Sequence, residues 1–357
     1  MSSFVLSRTL PQIGIRIIRL FLVASLLLLL TGTLVAQGPL TLFDAPDAGK
    51  AVDQGTVPTS INSKGVIAGY YIDSSNLLHG FLRQANGQIT EFSPPNMSDV
   101  FVVGINSSNQ IVGIGNRMVS TGSETDGFLR SPAGHLTLIK PAGATLTQPW
   151  QINDSGSIVG SFQDSAGMHG FIRDSSGNYT VVDDPDAQIG LGSGTWALAI
   201  NANGAVTGYY DDTHTAGIRA FVRDQFGNYT NFDVISDPIQ AVVPTAINAS
   251  GEVAGYYADF GYAIHSFLRD ASGTVTFDVT NGNSTESFGM NDSGAIAGCY
   301  FNTRGVLLGF HRDAAGNYLS ISGPAGNTGT EALAINNTGH MTGLYLDKNS
   351  AVHGWVK

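Results

Sequence analysis

Four histidines stand at one spacing from an acid. His79, His169, His265 and His353 follow Asp73, Asp164, Asp259 and Asp347 by five or six residues. Imidazole beside carboxylate suits metal ligation, proton transfer or a plain ion pair. Variation inside the chain separates these uses. One copy carries Asp212 and Arg219, another exchanges the signs as Arg117 and Asp126, and a third is neutral in both places, Asn302 and Leu308. Charge that changes in step is what a cross-strand pair requires. We therefore expect a structural acid–base pair at each hairpin, with metal binding as the rival reading.

Chemistry particular to one part of the chain is expected where the repetition breaks. Trp150 and Trp196 each enter a strand from the loop before it, and indole faces stack on sugar rings or anchor partners. They are the candidate ligand-binding residues, against a rival reading as ordinary packing. The loop from Asp183 to Thr195 carries Asp183, Asp184 and Asp186 ahead of Gly190, Gly192 and Gly194. Carboxylates on such a loop are candidates for Ca²⁺, against a rival reading as a solvated loop. No other metal and no cofactor is expected. No Ser-His-Asp set at a family spacing, no Cys-His zinc pattern and no phosphate loop is present, so no catalytic residue is assigned.

These residues sit on a repeated scaffold. The Asn of Ile-Asn recurs at Asn62, Asn106, Asn153, Asn201, Asn248, Asn291 (after Met290) and Asn336, every 43 to 48 residues. Each unit holds two hairpin signals in which Asn or Asp precedes Gly by three residues, as in Asn153 to Gly156 and Asp174 to Gly177. The short polar side chain opens the turn and Gly takes the positive-φ position. Flanking residues alternate apolar and polar, as in Val206 to Tyr210, which is the period of a strand. Four short strands per unit of this length predict a propeller blade.

Aromatics recur in the second strand (Tyr71, Phe162, Tyr210, Tyr257, Tyr300, Tyr345) and the third (Phe81, Phe128, Phe171, Phe221, Phe267, Phe310, Trp355). A slot filled in nearly every unit serves packing between neighbouring sheets. The arginines Arg83, Arg130, Arg173, Arg223, Arg269 and Arg312 are expected to be ion-paired or stacked. The chain ends at a third strand, His353 to Lys357, and residues 40–44 read as a fourth. The expected fold is all-β, a seven-bladed propeller of four-stranded blades. Its repeats start near residues 59, 101, 149, 196, 244, 286 and 331, and the N-terminal strand completes the last blade and removes the open sheet edges. An open solenoid is the alternative.

The repeat resembles the HAF repeats of predicted extracellular bacterial proteins, named for a His-Ala-Phe-like core. Here that core reads His79-Gly80-Phe81, His169-Gly170-Phe171, His265-Ser266-Phe267 and His353-Gly354-Trp355, between Ile-Asn-x-x-Gly and Phe-Asp-x-Pro elements. The second unit departs, with Asp126-Gly127-Phe128 and no tyrosine pair. The resemblance covers the chain after residue 36. It implies export and a β-repeat fold, and no activity or catalytic residue set.

Export is also expected from the start of the chain. Arg8, Arg16 and Arg19 precede the apolar run Leu20 to Leu30 and small residues ending at Ala36. Residues 1–36 read as a secretory signal, with an uncleaved anchor as the alternative. That leaves residues 37–357 as one domain, with 14 basic against 28 acidic residues. So acidic a surface repels nucleic acid and anionic membranes. Cys299 is the sole cysteine, so no internal disulfide forms. We expect a monomeric binding module outside the cytoplasm, at the cell surface or in the periplasm, with a carbohydrate or protein partner. An extracellular polysaccharide hydrolase or lyase, and a structural cell-surface protein, are the alternatives.

Overall fold

A computed structural model describes residues 39–357 except 121, 191, 215, 216, 236–240, 260, 280 and 281. The expected signal, residues 1–36, lies outside the described residues. Among the described residues all regular structure is β, in 28 strands. No helix among them is long and apolar enough to cross a membrane.

Each repeat folds as an antiparallel meander. In the first, Gly55–Ile61 pairs with Ile67–Ile72, which pairs with Leu78–Arg83, which pairs with Ile89–Phe92. The first strands of the repeats begin at Gly55, Met97, Leu146, Thr195, Ala241, Gly282 and Gly329, slightly before the expected starts. A bulge explains the difference. Each first strand slips register near its middle, as between Pro58 and Ser60 and between Ser287 and Gly289. The slip breaks the two-residue alternation, so the upstream half does not read as one strand with the downstream half.

The turn chemistry is local. Asn62 Oδ1 accepts the amides of Lys64 and Val66 at 3.0 Å, and Gly65 has φ +74°. The second repeat has Asn109 in the Gly65 place, at φ +60°, which Asn tolerates better than most residues. The strand glycine opposite the bulge has a different purpose. A Cβ on Gly343 would lie 1.9 Å from Glu331 O and 2.7 Å from Trp355 Cζ2. Its absence lets the third-strand aromatic reach the bulge. Phe81, Phe171, Phe221, Phe267, Phe310 and Trp355 are 0% exposed there. Burying each phenylalanine is worth about 2–3 kcal/mol.

Several neighbouring meanders are joined in the same way, although Arg223 covers Tyr229 of its own repeat. Arg130 lies 4.7 Å over the ring of Phe92, Arg269 4.7 Å over Phe232, and Arg312 4.8 Å over Phe277. In each case the guanidinium of one repeat covers the fourth-strand ring of the repeat before it. The chain ends repeat this chemistry. Thr41–Phe43 pairs antiparallel with Val352–Val356, and Arg83 lies 4.8 Å over Phe43. The first strand of each repeat touches the first strand of the next, and Gly329–Ile335 touches Gly55–Ile61. Single parallel pairings, such as Gly55 with Val352, link some meanders into sheets of 12, 8 and 8 strands.

Asparagine side chains bind the succession together. Asn62 Nδ2 donates to Asn106 O, Asn106 to Asn153 O, Asn153 to Asn201 O, and Asn201 to Asn248 O. Asn291 donates to Asn336 O, and Asn336 to Asn62 O at 2.8 Å across a separation of 274 residues. Asn248 departs, its amide turning to the Glu252 carboxylate. Except at Asn248, the residue that caps the hairpin thus also ties it to the next.

Candidate functional site

The histidine–aspartate pairs form. His79 Nε2 lies 3.2 Å from Asp73, His169 Nε2 3.3 Å from Asp164, His265 Nε2 3.4 Å from Asp259 and His353 Nε2 3.8 Å from Asp347. Arg219 meets Asp212 at 2.8 Å, and Arg117 meets Asp126 at 2.7 Å. Each base also has a second partner, absent from the sequence-based expectation. His169 Nδ1 meets Asp183 at 2.8 Å, His265 Nδ1 meets Asp278 at 2.8 Å, and His353 Nδ1 meets Asp44 at 3.0 Å. Arg219 meets Asp233 at 3.1 Å. The second repeat inverts the whole set, with Asp126 between Arg117 and Lys140.

For His169, Arg219, His265 and His353 the acid of the Phe-Asp-x-Pro element is this second partner, while His79 Nδ1 meets Ser93 Oγ at 2.7 Å; behind Asp44, Asp183 and Asp278 a threonine latch holds the strand end in place. Ala45 donates its amide to Thr56 Oγ1, Asp184 to Thr195 and Val279 to Thr285. Each latch follows the acid directly and fixes the end of the fourth strand against the next repeat. The histidines stack on the second-strand aromatics, as His353 does on Tyr345 at 4.9 Å. These are ion pairs on packed rings. Among the described residues no group of three His, Cys, Asp or Glu side chains converges to hold a metal ion.

The acids of the long loop divide between two partners. Asp183 goes to His169, while Asn231 Nδ2 donates to Asp184 Oδ1 at 3.0 Å and to Asp186 Oδ2 at 3.1 Å. Burial pushes the Asp184 carboxyl up, against the lowering hydrogen bonds of Asp186 and Asn231. The tryptophans occupy different register slots. Trp150 sits in the bulge between Pro149 and Gln151, its indole N–H buried without a hydrogen-bond partner. Trp196 is 8% exposed, stacks on Tyr209 at 4.9 Å and packs with Met168 and Ile218.

The slot of Trp196 holds the most unusual chemistry. Its register partner is Tyr209. The same slot pairs Val57 with Tyr70, Phe101 with Ile114, Gln148 with Ser161, and Val243 with Tyr256. In the last two repeats it pairs Glu286 with Cys299 and Glu331 with Leu344. Two carboxylates thus occupy an otherwise uncharged column, on first strands that touch each other. Both are half-buried, enclosed by protein yet still reached by solvent.

Enclosure pushes Glu331 up to about 7. Enclosure, then the charge of Glu331, pushes Glu286 up to about 7. Burial and these two acids hold the Cys299 thiol well above its usual range. Burial, then Glu331, pushes Tyr70 up to about 12. Burial raises Tyr256 too, with Glu286 and Cys299 adding to it, and burial raises Tyr209, with Tyr256 and Asp211 adding to it. The electrostatics therefore join Tyr209, Tyr256, Glu286, Glu331 and Tyr70 into one arc on adjoining repeats. Reading the residues of one slot across the repeats finds the two acids from sequence, but only once the bulge register is known.

No family model and no curated relative matches the chain. Solved structures do. Virginiamycin B lyase from Staphylococcus aureus is 12% identical, with TM-score 0.54, covering 89% of this chain and 99% of that one. A prolyl endopeptidase structure is 10% identical, with TM-score 0.57 over 84% of this chain, which spans 47% of that protein. YCF48, solved with a D1 peptide, is 11% identical, with TM-score 0.51, covering 91% and 97% of the two chains. At such identities the likeness speaks for the fold alone, and the fold these neighbours share with this chain is the β-propeller.

Proposed function

We propose that this chain is an exported seven-bladed β-propeller, of the HAF-repeat kind, acting as a binding module with its ligand site on the column of Trp196, Glu286 and Glu331. In this reading the first strands surround a central channel and the column faces it. The observation that carries the reading is the pair of glutamates. Neither side chain makes an ion pair or hydrogen bond among the described residues, and both stay enclosed at a cost in solvation. Groups kept at such a cost without a structural partner belong to a site. The flanking tyrosines and Trp196 supply stacking faces.

A second reading, a polysaccharide hydrolase or lyase, draws on the same acids, because carboxyls near 7 can give or take a proton at neutral pH. Thermal shift on the purified protein, with oligosaccharides, peptides and small ions, tests the module. A ligand at about a hundred times its dissociation constant adds about 2.7 kcal/mol. We expect a raised melting point that falls away in Trp196→Phe. Consumption of the ligand during the assay would favour the enzyme. No shift with any member of the panel would overturn the placement of the site on this column.

A further inference from the structure

We propose that the junction of the last repeat with the first holds a second binding site, for a small molecule that carries a phosphate or sulfate group. At this junction the paired strands come from distant parts of the chain. Thr41–Phe43 pairs with Val352–Val356 and no hairpin turn joins them, whereas a turn from Gln84 to Gln88 joins the corresponding strands of the first repeat. A cavity of about 520 Å³ opens at these strand ends, against the first hairpins of both repeats. Lys64, Arg83, His340 and Lys357 line it, and no Asp or Glu among the described residues does.

This grouping runs against the composition, which after residue 36 is 14 basic against 28 acidic residues. It also breaks the repetition. Lys64 stands two residues after the turn asparagine, where every other repeat has Ser, Asn or Thr. His340 stands four residues after it, where no other repeat has a base. Even with a terminal carboxylate on Lys357, the permanent cations Lys64, Arg83 and Lys357 stand against a single anion.

Arg83 points to an anion independently. It is 7% exposed, its Nε is buried without a hydrogen-bond partner among the described residues, and its Nη1 reaches the Gln84 carbonyl at 3.4 Å. Arg312 shares the bare Nε, but its repeat has Ser293 and Ala295 in the slots that Lys64 and His340 fill. Burial lowers the pKa of both Arg83 and Lys357, and no carboxylate is among the charges that act on either. His340 Nδ1 meets Thr338 Oγ1 at 2.7 Å, while its Nε2 has no partner among the described residues. Phosphate and sulfate oxygens accept charge-assisted bonds from guanidinium and ammonium groups. A metal ion is repelled by these bases, a neutral sugar leaves them uncompensated, and a nucleic acid is repelled by the acidic surface around them.

Calorimetry on the purified protein near physiological salt tests the site. The probes are glucose 6-phosphate and glucose 6-sulfate, with glucose as their neutral counterpart. At least one ester is expected to bind about tenfold or more tighter than glucose, the scale of a charge-assisted hydrogen bond. Lys64→Gln and Lys357→Gln should each weaken that ester by about threefold or more, since each removes one charge from the cavity. Lys348→Gln, on an exposed turn outside the cavity, should change nothing. Melting curves check that the variants fold, and the ester that binds identifies the anion. Glucose binding as tightly as the esters would overturn the site, as would no binding of either ester. Equal losses in all three lysine variants would overturn it too, by showing attraction to surface charge in general. None of these outcomes touches the column, which Trp196→Phe reads separately.

Discussion

Asp259 and His265 meet across a hairpin turn through a carboxylate that serves both ends. Its Oδ1 accepts the amide of Ala263 at 2.9 Å, while its Oδ2 faces His265 Nε2 at 3.4 Å. The turn and the ion pair are therefore one device, and Asp73 repeats it with the Leu77 amide and His79.

A double-mutant cycle separates the two jobs. Asp259→Ala is expected to cost more than His265→Ala, because it also removes the turn bond. The coupling should be about 1 kcal/mol or less, since both side chains are partly exposed. Burial opposes protonation of His265, but Asp278 and Asp259 outweigh it and raise its pKa above 6.5. A raised histidine stabilises below its free pKa and loses that contribution as pH rises through the folded value. Urea denaturation at pH 5.5 should show the coupling and at pH 8.5 should show little of it. Additive losses at pH 5.5 would refute the pairing.

Ring closure can be probed at one asparagine. Asn336 Oδ1 accepts the amides of Thr338 and His340, and its Nδ2 donates to Asn62 O. Asn336→Ala removes the turn bonds and the bond between the chain's ends, and should cost about 2–3 kcal/mol. Asn248→Ala removes the same turn bonds and a bond to the Glu252 carboxylate, which is partly exposed and taken up by water, so the loss should be smaller. Equal losses in chemical denaturation would show that the inter-repeat bond adds nothing.

Phe43 is the corresponding test at the N-terminal strand. Its ring lies 6.0 Å from Phe81 and under Arg83. Phe43→Ala should cost about 2–3 kcal/mol and expose the end of the strand Val352–Val356 to proteolysis. Arg83→Ala should cost about 0.5–1 kcal/mol less in the Phe43→Ala background than in the native protein, the size of a cation–π contact. A melting point unchanged by Phe43→Ala would mean that the N-terminal strand does not hold the ring.

The glutamates give a pH signature of their own. With folded pKa values near 7 against 4.5, the folded state holds more protons than the unfolded one between these values. Stability attributable to them is present below about pH 4.5 and is lost as pH rises through 7. Glu286→Gln or Glu331→Gln should leave stability at pH 5 nearly unchanged. At pH 8.5 each should raise it by about 1–3 kcal/mol, less than the full shift implies because solvent reaches both groups. Parallel denaturation curves for variant and native protein at both pH values would contradict the enclosure of these acids.

Much of this architecture follows from the sequence alone, for a physical reason. Turns and hairpin pairs are local, so Asn62 with Gly65, and Asp259 with His265, can be read from residues a few positions apart. Repetition then makes the readings reinforce one another, down to the exchanged signs of Arg117 and Asp126. The N-terminal strand was legible because residues 40–44 copy a fourth strand that the last repeat lacks. Tertiary structure decided the rest. Asp44 reaches His353 across 309 residues, and no local pattern fixes that approach. The Phe-Asp-x-Pro acids became partners only when their fourth strands docked on the next repeat. Glu286 and Glu331 lie 45 residues apart in sequence, in a slot whose register is set by a bulge and whose neighbours are supplied by succession around the first strands. Their enclosure and their missing counter-charge are properties of the packed ring, since in an isolated repeat each would face water.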